Sequence, residues 1–157
     1  MMEIRLPVAG LLYDIGGLAY VVGDIRDGTL PAHVLHQVFD ICQEGNIDRV
    51  DRLLSLSFWE AATHIGHVAV ALPPEGVGQN RVYRLALKKP VAPAWVMRLK
   101  TALREYMTAC VLADWLSFTL PDAAPPWREK ARISLASLQA AARCSASSCA
   151  TRPISPI

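Results

Sequence analysis

The run VMRLKTALREYMTACVLA, residues 96–113, spaces Val96, Leu99, Leu103, Tyr106, Cys110 and Ala113 three, four, three, four and three residues apart. That alternation averages one helical turn, so the six side chains share a stripe, the pattern of a helix at the centre of a bundle. Apolar residues continue to Trp115, Leu116 and Leu120, and Pro121, which a helix interior does not tolerate, closes the segment. Pro90 and Pro93 bound it on the other side.

Working outward, Pro125-Pro126-Trp127 opens a further helix, with proline in the first turn where a missing N–H costs nothing. Trp127, Ala131, Leu135, Leu138 and Ala142 form its predicted buried stripe, and Arg128, Glu129, Lys130 and Arg132 its wet face. Beyond Arg143 the composition turns to Ser, Ala, Cys, Thr and Pro without an apolar period, so residues 1–143 are expected to form one domain and 144–157 an extended tail. On the amino-terminal side, Arg81 to Lys88 reads as a single strand, preceded by a loop at Pro73-Pro74, Gly76 and Gly78.

Asn46 is placed as the N-cap of a helix reaching about Thr63, with Ile47, Val50, Leu54, Phe58, Ala61 and Ile65 on one stripe. Pro31 to Glu44 carries Val34, Leu35, Val38, Phe39 and Cys42 at helical spacing, with Gly45 as its C-terminal cap. Glu3 to Leu6 alternates polar and apolar, and Leu18 to Val22 is a β-branched and aromatic run after Gly16-Gly17, so an N-terminal hairpin is expected. The fold class that follows is mainly α: a bundle-like domain of about four helices with a small β element, the hairpin plus one strand near 81–88.

Charge and composition exclude several classes of function. Sixteen Lys and Arg against fourteen Asp and Glu leave a net charge of +2, far from the basic footprint of a nucleic-acid binder. Hydrophobic residues make up 52% of the chain and charged ones 19%, which leaves apolar surface for a partner to cover. Met107 to Leu120, read as the longest apolar stretch, holds Asp114 and is shorter than the ~20 residues of a spanning helix, so no membrane partner is expected. The opening Met1-Met2-Glu3-Ile4-Arg5 lacks the basic start and apolar core of a secretory signal; a cytoplasmic site of synthesis and reduced cysteines are expected.

The candidate chemical groups are few. The histidines form two i, i+3 pairs, His33 with His36 and His64 with His67, the latter four residues after Glu60. Such spacing puts both imidazoles on one side of a helix, as a metal site requires, and equally marks helix ends where imidazolium meets the dipole. A metal-dependent enzyme or metal sensor is therefore the alternative reading, although HExxH and CxxC are absent. Asp114, within an apolar helical run, reads as a general acid or as the partner of a backbone group or an Arg.

Cys144 and Cys149 stand five apart in the tail without a cluster of cations to activate a thiol. Neither a phosphate-binding glycine pattern nor GxSxG occurs. No catalytic residue, metal ligand, cofactor or small-molecule substrate is expected. The tail segment Arg152-Pro153-Ile154-Ser155-Pro156-Ile157 is stiffened by its prolines and carries isolated apolar side chains, so Arg152, Pro153, Ile154, Pro156 and Ile157 are the candidate interaction residues.

Four stretches carry a resemblance: Leu12-Tyr13-Asp14-Ile15 with Ala19-Tyr20-Val21-Val22-Gly23-Asp24, HQVFDICQEGNIDRVDRLL (36–54), EYMTACVLADWLSFTLPDAAPPW (105–127) and Arg152 to Ile157. Together they resemble a family of small prophage-encoded proteins of anaerobic gut bacteria, found among virion structural genes. The resemblance implies a virion component at the neck, connector or tail, with itself or other virion subunits as partners, and it carries over no functional residue. Ile157 stands where that pattern has an aromatic residue, and the tail is less basic. The expected function is thus assembly through protein–protein contacts.

Overall fold

A computed structural model describes residues 2–25 and 28–146 of the 157. In chain order the elements are β1 (Glu3–Pro7), α1 (Val8–Ile25), α2 (Ala32–Phe39), α3 (Glu44–His64), β2 (Ala69–Glu75), β3 (Val82–Leu87), α4 (Pro93–Thr119) and α5 (Ala124–Ala146). Short 3-10 turns lie at Asp40–Cys42, Gly78–Asn80 and Pro121–Ala123. The fold is mainly helical with a small antiparallel sheet, as expected from the sequence.

α4 is the centre. Leu99, Leu103, Tyr106 and the neighbouring Met107, Val111, Leu112 and Leu116 are all buried, so this helix is covered on more than one face. α5 returns along it, and Trp95 pins the start of α4 to the end of α5 by donating its indole N–H to the Ala141 carbonyl at 2.7 Å. On α5, Leu138 and Ala142 are buried as predicted and Ser134 and Ala141 join them, while Trp127, Ala131 and Leu135 are half-buried. The helix runs to Ala146, three residues past the expected boundary at Arg143.

β3 is the middle strand of the order β1-β3-β2 and pairs antiparallel with both neighbours. Ile4 faces Leu85 and Leu6 faces Tyr83 across the first ladder; these four side chains are buried against the helices. Glu3, Arg5 and Arg84 point the other way. Arg84 bonds Glu3 at 2.7 Å and also contacts Glu75, and Arg5 reaches Glu75 at 2.6 Å, so charges of opposite sign bridge all three strands.

Four expectations require correction. Leu18 to Val22 is not a hairpin strand but part of α1, because Val8, Leu11, Ile15 and Ala19 recur at helical spacing and are buried, and packing outweighs the β propensity of Tyr20-Val21-Val22. Gly23 is a packing position in this helix: a Cβ there would stand 2.2 Å from Cε1 of Phe39, the α2 residue that closes over it. Second, β2 was missed because Pro73-Pro74 reads as loop; an edge strand tolerates prolines, and the ladder shifts register between Leu72 and Glu75 to pass them.

Third, the 31–44 helix breaks at a 3-10 turn, and Gly45 lies inside α3 instead of capping α2. Fourth, Gln43, in extended conformation, precedes α3 at the cap position given to Asn46. The Asn46 amide instead donates to the Asp40 carbonyl at 2.8 Å.

Candidate functional site

Three partly exposed Arg–Asp pairs tie the helices to one another and to the sheet. Arg49 of α3 donates through Nε and Nη2 to Asp114 of α4, at 3.2 and 2.7 Å, and its guanidinium lies 4.5 Å above the Phe118 ring. Asp114 is therefore the partner of an arginine, the structural alternative weighed from the sequence. Arg81, just before β3, grips both oxygens of Asp51 on α3 at 2.7 and 2.6 Å. Arg104 of α4 donates to Asp14 of α1, a bond that raises the pKa of the arginine and keeps its charge fixed.

The histidine pairs are not brought together. His33 and His36 are exposed on α2; His64, at the end of α3, lies with Nδ1 3.0 Å from the Gln139 amide of α5, and His67 is exposed beyond it. No three His, Cys, Asp or Glu side chains converge among the described residues in a way that could hold a metal ion. Cys42, Cys110 and Cys144 are free thiols. Burial pushes the Cys110 thiol up to about 11, and the same burial raises its neighbour Tyr106, so this pair is chemically quiet at neutral pH.

What remains is a surface. α1 has 28% of its residues buried and, unlike the Met107–Leu120 stretch, is by length and composition apolar enough to cross a membrane, a property shared by mostly buried core helices and by N-terminal signal sequences. Its buried stripe leaves Tyr13 83%, Tyr20 59%, Val21 50% and Ile25 74% exposed. Beside it runs a groove of about 570 Å³. Tyr13, Leu18 and Val21 of α1 form one wall, Trp127 and Lys130 of α5 the other, and Thr101, Arg104 and Thr108 of α4 the floor.

The Lys130 ammonium lies 5.4 Å from the Trp127 ring centroid. Glu105 is exposed on the α4 side and carries no ion pair among the described residues, whereas the Asp14 carboxylate in the groove is already engaged by Arg104. The Thr108 hydroxyl, buried at the floor, has no hydrogen-bond partner among the described residues. Such a site has aromatic and aliphatic walls and charges of both signs, a lining suited to holding a ligand or a peptide. A second apolar patch, with Trp59 and Val70 exposed, lies where α3 meets β2.

The candidate interaction residues Arg152, Pro153, Ile154, Pro156 and Ile157 lie outside the described residues. Sequence reasoning missed the α1 wall because it assigned this segment to a hairpin. The signal was present: Val8, Leu11, Ile15 and Ala19 complete one helical stripe, and Tyr13, Tyr20, Val21 and Ile25 are large apolar residues that fall off it. No protein-family model, curated protein or solved structure matches this chain.

Proposed function

We propose that this protein is a structural or interaction subunit that works by assembly, binding copies of itself through the outer face of α1, in a phage neck, connector or tail. One observation carries the assembly reading: Tyr13, Tyr20, Val21 and Ile25 stand exposed on a single helix, where leaving large apolar side chains in water costs what a protein partner would recover. A second copy is the simplest partner, since one helix face placed across a two-fold axis covers itself. The virion setting rests on the resemblance of the four stretches given above.

The test is the mass of the full chain in solution by sedimentation equilibrium across a wide concentration range. Self-association is expected, and Tyr20→Asp with Ile25→Asp, both outside the groove, should shift it to monomer without changing the circular dichroism spectrum. A parent chain that stays monomeric to roughly millimolar concentration rules the reading out. For the virion setting, mass spectrometry of purified particles should find the chain in stoichiometric amounts.

A further inference from the structure

We propose that the groove between α1, α4 and α5 receives the segment Arg152-Pro153-Ile154-Ser155-Pro156-Ile157 of a second copy, bound as a polyproline-type strand. This deepens the assembly reading and rests on it. A polyproline II strand has about three residues per turn, so residues three apart stack on one edge. In this segment Pro153 and Pro156 fall on one edge, Ile154 and Ile157 on the next, and Arg152 and Ser155 on the third. Two edges are apolar and one is polar, which suits a strand with one side in a groove and one in water.

Dimensions agree. From Pro153 to Ile157 such a strand rises about 3.1 Å per residue, roughly 12 Å. The α1 wall from Tyr13 to Val21 covers eight helical steps of about 1.5 Å each, again roughly 12 Å. Prolines pack well against aromatic rings and donate no backbone N–H, so a wall of side chains such as Tyr13 and Trp127 binds them without having to supply many polar partners. Leu18 and Val21 offer aliphatic contact for the isoleucines. Glu105, exposed and without an ion pair among the described residues, is the groove's free carboxylate for Arg152.

The experiment uses the full chain and three variants, with hydrogen–deuterium exchange of α1 read beside the mass. Ile154→Asp with Ile157→Asp should weaken self-association roughly tenfold or more and speed exchange along residues 13–21. Arg152→Glu should weaken it by about two- to fivefold, and adding Glu105→Arg to that variant should restore it. The rescue is an outcome that a merely destabilised fold does not produce.

Tail variants that leave mass and α1 exchange as in the parent overturn the groove assignment while the assembly reading stands. Tail-dependent protection that is the same at every concentration overturns it too, because the segment then lies on its own copy. A strictly monomeric parent removes both readings together.

Discussion

Phe58→Ala measures how α3 is held on the sheet. Phe58 is completely buried; its ring centroid is 4.7 Å from that of Tyr83 on β3 and 5.7 Å from that of Trp59. Truncating a buried phenylalanine removes most of ~150–250 Å² of apolar contact and leaves a cavity, at a cost of about 3–5 kcal/mol. The lost stacking on Tyr83 places the expected value in the upper half of that range. For a domain whose whole stability is about 5–15 kcal/mol, this is a large fraction. At about 2–4 °C per kcal/mol for a chain of this size, the midpoint of thermal unfolding should fall by roughly 8–20 °C.

Phe118→Ala is the matched control. The same atoms are removed from a ring that is 70% exposed and meets mainly the Arg49 guanidinium, so a loss of about 1 kcal/mol or less is expected. Urea unfolding followed by far-ultraviolet circular dichroism gives both values, at a protein concentration low enough that self-association does not add to stability. If Phe58→Ala stays within about 1 kcal/mol of the parent, or if Phe118→Ala costs as much, the placement of α3 against β3 is wrong.

Three further outcomes are expected. Gly76 has φ +78 and a Cβ there would sit 2.4 Å from the Asn80 carbonyl oxygen, so Gly76→Ala should cost about 1–3 kcal/mol in a urea titration, more than Gly78→Ala, where φ is +57 but space is open. In timed alkylation at pH 8 with mass mapping, Cys110 should react on the order of a hundredfold more slowly than the exposed Cys144, since burial has moved its pKa from 9.0 to about 11; comparable rates would mean that Cys110 is not packed beside Tyr106. The hydrogen bond from Arg84 holds the Glu3 carboxyl below its ordinary 4.5, so its contribution is present above that pH and is lost as pH falls through the lower folded value; Glu3→Gln should flatten the acid limb of stability against pH, and an unchanged limb would show that the sheet's charge bridge is idle.

The site was less legible than the fold. The tail's proline and isoleucine spacing stands in the sequence, but nothing in it reveals a groove, because the walls come from residues 13–21 and 127–130 and the floor from 101–108. The Arg–Asp pairs have the same character. Asp114 was recognisable as a carboxylate in need of a partner, yet Arg49 is 65 residues away, and Asp14 and Arg104 are 90 apart.

Local pattern was enough to specify α4, most of α3 and α5, the strand β3 and most of the core, because each of these elements repeats its own period over several turns or alternations. Chain-local information could not specify α1, β2 or the groove. Gly23 acts as a packing position in α1 only because Phe39 arrives from α2, and prolines enter β2 only because β3 lies on its one paired side. Helical and extended states of such segments differ little in intrinsic free energy, so long-range contacts formed on folding select between them.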